Sequence, residues 1–377
     1  MNFNFLMGQK HKRLKGLLWK IVILLIFPVA TAQIVPNSKN GFKPRNSKDG
    51  KYITHPYIDN EDPLSDSNIV EFRDANNISR YFTRRIRKPV CLSQVCQPIS
   101  LYIVWDGSGN FQKLKLIKNK PLSKTDHTEF TQKEYLKLNS ILSDEHSILK
   151  NLQKEDLILE DNRNLLEKGI DAYSGATKPS LYEYVVRDAV YTCYTLWHTV
   201  YGPTRQRILQ ILDEKADSEY LRTIFNEQDI DYTFWGIDFL ERHPKYQNGF
   251  YKEVAQYINS KNDELSQKAL DYFSPNRLTE LEVQKYLVTK CKKEKQLDII
   301  WKLASIENLD SSVILILLEK YNVGGIDVTD LGYVYKMMTK EHLANDKINL
   351  IMRNILNDDN RYVRNITMEC LDKIPEK

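Results

Sequence analysis

The sequence predicts an α+β amino-terminal half followed by an all-α carboxy-terminal half. Ser100-Leu-Tyr-Ile-Val-Trp105 and Phe111-Gln-Lys-Leu-Lys-Leu-Ile117 are β-rich, and Asp106-Gly-Ser-Gly-Asn110 between them has the turn chemistry of a hairpin. Helical periodicity follows over Gln132–Leu142, so strand and helix signals mix across residues 66–203, an α+β region of ordinary domain size. From 204 to 377 only amphipathic helical stretches recur, among them Tyr220–Phe225, Thr233–Glu241, Glu264–Phe273, Val313–Leu318, Lys347–Ile355 and Tyr362–Leu371.

Taken in chain order, the first element is an export signal. Lys10, Lys12, Arg13, Lys15 and Lys20 precede Ile21-Val-Ile-Leu-Leu-Ile-Phe27, and Ala30-Thr31-Ala32 follows as a small-residue cleavage site. Residues 1–32 are therefore expected to be a signal peptide cleaved after Ala32, placing the protein in the periplasm or outside the cell. An uncleaved anchor is the alternative, because including Leu17 to Trp19 lengthens the apolar run. The five basic residues are the only formal charges in 1–32, so a chain lacking it carries −1 instead of +4. That balance argues against nucleic acid as a partner. Residues 33–65, rich in Asn, Lys, Asp and Pro, read as an extended leader.

Arg80, Arg84, Arg85, Arg87 and Lys88 form a basic cluster that can face an anionic partner or a flavin phosphate; a solvated strand edge or linker is the commoner use. Export permits disulfides, and Cys91 with Cys96 is the closest pair, framing a small loop; bridged and free states stay open. Cys193 and His198, five apart, fall on different sides of a helix. Cys291 and Cys370 read as buried helical positions. His127 suits a polar loop leading into a helix better than a cofactor contact.

The chemistry-bearing stretch is Asp171-Ala172-Tyr173-Ser174-Gly175-Ala176-Thr177. A threonine hydroxyl needs an accessible turn and an activating base or metal from another protein before it acts as a nucleophile. Gly175 and Ala176 keep such a turn open, and Ser174 can brace it through the backbone. Pro179 is expected in the first turn of a following helix, with Ser180-Leu-Tyr-Glu183 as an alternative cap and Val185, Val186, Ala189 and Val190 as its apolar run. A plain loop leading into a helix would also account for the stretch.

Asp-x-x-Ser-Gly-Ala-Thr resembles the acceptor motif of the covalently flavinylated FMN-binding domain family, and the resemblance covers about residues 85–200. The resemblance implies an α+β FMN-binding-type domain. It also implies FMN joined to Thr177 as a phosphoester by a separate flavin transferase, with Asp171, Ser174, Gly175 and Ala176 forming the cofactor-binding turn. A helix starting near Pro179 would offer its free N–H groups and dipole to that phosphate. Tyr173, Tyr182 and Trp105 are candidate walls for the flavin ring, although aromatics at such spacings more often belong to a core. Lys178-Pro179 departs from the small or hydroxylated residues that often follow the motif.

The helical half pairs its elements at intervals of about 30–40 residues, the mark of a solenoid. Asp359-Asn-Arg-Tyr-Val-Arg-Asn-Ile-Thr-Met-Glu-Cys-Leu371 resembles the second helix of a HEAT repeat, echoed at Asn262–Leu270. A HEAT-like solenoid is expected over 204–377, with an irregular bundle as the alternative. The chain has no zinc-protease helix, phosphate-binding Gly-Lys loop, nucleophile elbow or dinucleotide fingerprint. The expected function is an exported electron-transfer flavoprotein, a redox carrier rather than a stand-alone enzyme. Its partners would be a flavin transferase, a protein electron donor and acceptor, and a membrane-associated redox protein. The alternatives are an extracytoplasmic flavin-dependent reductase of a small substrate and a flavin-free secreted scaffold.

Overall fold

A computed structural model describes residues 50–60, 62–91, 96–125, 127–157, 179–307 and 309–372. All fall within one compact unit, 43–377. The expected signal peptide lies outside the described residues, as does the acceptor stretch Asp171–Thr177. No helix among the described residues is long and apolar enough to cross a membrane.

The architecture is an antiparallel sheet followed by helices. Strands β1 (Lys51–Pro56), β2 (Asn68–Arg73), β3 (Ser79–Lys88), β4 (Ile99–Asp106) and β5 (Phe111–Leu116) pair in sequence order. Ile69, Phe72, Phe82, Ile86, Leu101, Ile103 and Trp105 supply its buried side chains. The β4–β5 turn is drawn tight by Asp106, whose Oδ1 accepts from the Ser108 and Asn110 amides at 2.9 Å each. Gly107 is required there, because a Cβ would lie 1.8 Å from the Ser79 carbonyl oxygen. β1 falls inside the segment read as a leader. It is an edge strand with mostly exposed side chains, so it has no apolar alternation to betray it.

Helix α1 (Gln132–Ser143) opens with a capping box between Thr131 and Glu134. Helix α2 (Val190–Val200) is buried almost throughout. It begins later than the sequence suggests: Pro179–Leu181 makes a single 3-10 turn, and Asp188 adopts φ +60° just before the helix. The apolar run packs as a connector, with Val185 and Val186 buried and the Val186 amide donating to Cys193 Sγ.

The remaining helices are α3 (Pro203–Lys215), α4 (Ser218–Glu227), α5 (Ile230–Arg242), α6 (Tyr251–Ala255), α7 (Asp263–Tyr272), α8 (Leu281–Lys290), α9 (Gln296–Leu303), α10 (Ser311–Asn322), α11 (Val328–Met337), α12 (Lys340–Ala344), α13 (Asp346–Ile355) and α14 (Arg361–Leu371). In the last part of the chain α8, α10 and α13 stack in one layer and α9, α11 and α14 in a second. Successive pairs α8/α9, α10/α11 and α13/α14 join the layers. The chain is thus α+β and then all-α.

Polar ties bind the sheet to α3, α4 and α5. Tyr232 donates to the Ser79 carbonyl at 2.6 Å and Lys215 to Ser79 Oγ at 2.8 Å, while Arg80 pairs with Glu227 at 2.5 Å. The basic cluster is accordingly not one solvated edge. Arg84 is 2% exposed and donates to the Asp66 carbonyl at 2.8 Å and Thr204 Oγ1 at 2.7 Å; Arg87 alone in it is exposed.

Candidate functional site: a cationic groove on helix α2

The residues expected to carry the flavin, Asp171, Ser174, Gly175, Ala176 and Thr177, lie outside the described residues, and so does Tyr173. Their flanks are described. On one side the 3-10 turn Lys154–Leu157 packs on α2, with Leu157 fully buried. On the other, Leu181 is buried, Lys137 Nζ donates to the Tyr182 carbonyl at 2.7 Å, and Val186 is held to α2 through Cys193. The segment before the acceptor stretch therefore rests on α2, and the one after it is held first to α1 and then, at Val186, to α2.

That helix presents a polar face. Tyr194, Thr195, His198, Thr199 and Gly202 follow the one-face spacing of a helix and its C-terminal turn, and all line a groove of about 300 Å³. Lys88 at the end of β3, Lys154, Asp59 and Thr204 complete the lining. Both lysines are half-buried, and neither ammonium is in an ion pair among the described residues. Burial, and then the charge of Lys88, lower the pKa of Lys154; exposed Glu155 opposes them.

His198 brings an imidazole to the groove. Its Nε2 lies 3.0 Å from the Leu149 carbonyl, which can only accept, so that nitrogen carries the proton. Burial lowers its pKa; the Leu149 carbonyl raises it, and Lys154 and Lys88 lower it again. The imidazole sits 4.2 Å from the Tyr194 ring and 5.0 Å from the Trp197 ring. Thr199 donates its hydroxyl to the Thr195 carbonyl at 2.7 Å, whereas the buried Thr195 Oγ1 has no hydrogen-bond partner among the described residues. Asp59 is engaged: Arg84 lies 3.5 Å away and the Tyr57 hydroxyl donates to it at 3.4 Å.

A second groove of about 270 Å³ lies on the other side of His198 and Gly202, walled by Trp197 and Tyr201. Arg205 crosses it, donating to both carboxylate oxygens of Glu145 at 2.9 and 3.1 Å. Gly202 must be small, since a Cβ would stand 2.3 Å from the His198 carbonyl oxygen.

Several expected positions fall elsewhere. Trp105 is fully buried and donates Nε1–H to the Val200 carbonyl at 2.9 Å, so it is core and not a flavin wall. Tyr182 is 42% exposed and away from both groove linings. His127 is exposed in a turn at φ +64°. The first turn after Thr177 has three residues, so no helix N-terminus begins at Pro179 to meet a phosphate there. Cys91 and Cys96 are joined by a disulfide, with Cα atoms 6.0 Å apart. Cys193 is fully buried, and burial pushes its thiol up to about 12. No cluster of metal-ligating side chains occurs among the described residues.

Sequence reasoning set His198 apart from Cys193, on a different side of the helix, but missed its real companions. The recoverable signal was Thr195, Thr199 and Gly202, small residues along one face of an otherwise apolar helix. The lysines gave no such signal, because they come from distant segments. Comparison with family models, with curated proteins and with solved structures gives no match to this chain.

Proposed function

We propose that this protein is an exported electron-transfer flavoprotein of the FMN-binding type, with FMN held through a phosphoester to Thr177. The observation that carries the reading is the sequence Asp171-x-x-Ser174-Gly175-Ala176-Thr177; the described segment before it, Lys154–Leu157, packs on α2, and Lys154 lines the cationic groove. The groove residues fit such a group: two lysines without anionic partners and an unpartnered threonine hydroxyl favour a phosphate-bearing ligand. Bound FMN would supply the redox chemistry; the chain would tether it, neutralise its phosphate and exclude water from one side. A tether suits an extracytoplasmic carrier, since a dissociated cofactor has no biosynthetic pool to replace it there. The paired helices α8/α9, α10/α11 and α13/α14 support a HEAT-like array for docking the electron donor or acceptor. Exposed Trp301, Leu350, Tyr362 and Met368 are side chains that such docking would cover.

Intact mass and in-gel fluorescence of the denatured protein test this directly. Co-expression with a flavin transferase should add one FMN less one water and make the band fluorescent, and Thr177→Val should abolish both. An unmodified mass under those conditions sinks the covalent reading.

A further inference from the structure

We infer that the groove between Lys88, Lys154 and the polar face of α2 is an oxyanion site that takes a phosphoryl group. Burying cations next to each other without counter-charge is unfavourable, and a native fold retains the arrangement where something relieves it. Lys88 and Lys154 meet this description: both are half-buried, neither is in an ion pair among the described residues, and each is close enough to His198 to disfavour its protonation.

The remaining charges around the groove offset that pair only in part: Glu155 acts on Lys154, Glu155 and Asp156 act on Tyr194, and no carboxylate forms an ion pair with either lysine among the described residues. Asp59 lies against Arg84, and Asp62 is 3.8 Å from the same guanidinium. Glu155, in the same turn as Lys154, is exposed. His198 directs its Nε2–H to the Leu149 carbonyl, and burial together with the two lysines disfavours its protonation.

Thr195 supplies an independent sign of a ligand. The residue is 5% exposed, it lines the groove, and its hydroxyl has no partner among the described residues. A buried hydroxyl with nothing to bond is unfavourable, and rotation of the Thr195 side chain toward the groove would let it donate to an acceptor oxygen held there. Two ammoniums and a hydroxyl donor match a tetrahedral oxyanion, which accepts charge-assisted hydrogen bonds from several sides. The volume of about 300 Å³ exceeds that of a bare ion and admits the body of a phosphorylated small molecule.

Two sources can provide the phosphoryl group: the phosphodiester of a flavin tethered to this same chain, which rests on the function proposed above, or a free phosphorylated ligand. Full-length protein made without flavin transferase is titrated calorimetrically with inorganic phosphate and with FMN. Wild-type protein should bind phosphate. Lys154→Gln and Lys88→Gln should each weaken binding about tenfold, Thr195→Val should weaken it less, and exposed Lys261→Gln should leave it unchanged. Lys154→Gln should also melt no lower than wild type while losing the phosphate-dependent rise in Tm, which separates loss of a ligand from loss of fold. No phosphate binding to wild type, or equal binding by the groove variants and Lys261→Gln, overturns the site. Repeating the titration on flavinylated protein identifies the source. Blocked phosphate binding assigns the groove to the tethered phosphodiester, and unchanged binding assigns it to a free ligand. Failure of Thr177 to accept flavin would appear in the mass spectrum alone and leave the phosphate titration intact.

Discussion

The sheet-facing region and the carboxy-terminal array are held by different forces. Between the sheet and α3–α5 the ties are polar and mostly buried: Glu71 is fully buried yet lies 2.7 Å from Arg73 Nε, 2.5 Å from Ser79 Oγ and 3.6 Å from Lys215 Nζ. In α8–α14 the contacts are mostly apolar. Val283, Leu287, Ile299, Ile300, Val313, Leu317, Leu331, Ile348 and Val363 fill the space between two helix layers, and Asp or Asn caps begin α10, α11, α13 and α14. Polar ties are directional and fix one relative placement, which a site assembled from distant segments requires. Apolar stacking adds stability pair by pair and tolerates adjustment, which suits a docking surface.

The largest difference should appear on removing one group from each region. Arg84→Ala withdraws a 2% exposed guanidinium from Asp59, Asp62, the Asp66 carbonyl and Thr204. Leaving buried carboxylates without that charge should destabilise the protein by about 3–5 kcal/mol. It should also perturb the groove, since Asp59 and Thr204 line it. Leu317→Ala, in the wholly buried face of α10, should be destabilising by about 2–5 kcal/mol and leave the groove untouched. Urea unfolding of both variants, paired with phosphate titration, checks the contrast. Equal loss of phosphate binding would mean that the two regions are not energetically separate.

Acid should break the sheet-facing region first. Burial opposes ionisation of Glu71, but hydrogen bonds from Arg73, Ser79 and His55 and the charge of Lys215 hold its carboxyl down to about 2, against an ordinary 4.5. The unfolded chain therefore takes up the proton first as pH falls. The stabilisation is fully present above about pH 4.5 and is lost on descending toward about 2. Glu71→Gln should flatten that part of the stability–pH curve measured by urea titration. An unchanged acid limb would remove Glu71 from the account.

What could be read from sequence follows the same division. The array was legible because its stability comes from periodic apolar faces: Ile348, Met352 and Ile355 recur on one side of α13, and Val363, Thr367 and Cys370 on one side of α14. The β4–β5 hairpin was legible because Asp106-Gly107-Ser108-Gly109 states its turn chemistry locally. β3 was not, since Arg84 reads as a surface residue until Thr204, far along the chain, closes over it. The start of α2 was misplaced because good helix-start residues at Pro179–Glu183 stand before a left-handed Asp188 that no local pattern announces. Half of the groove follows helical spacing on α2; the other half depends on long-range contacts.

The smallest expected effect belongs to a helix cap in the array and tests whether its pairs behave as separable units. Asn345 Oδ1 accepts from the amides of Lys347 at 3.0 Å and Ile348 at 3.3 Å, satisfying two of the first free N–H groups of α13. Asn345→Ala should lower stability by about 1 kcal/mol. α13 contacts only α10, α12 and α14 strongly, so the loss should stay in the last pairs. Hydrogen exchange should quicken through α13 and α14 while the amides of β3, β4 and α2 keep their protection. Quickened exchange in the sheet would show that the array and the sheet open together, and the contrast between rigid placement and adjustable stacking would then fail at its weakest point.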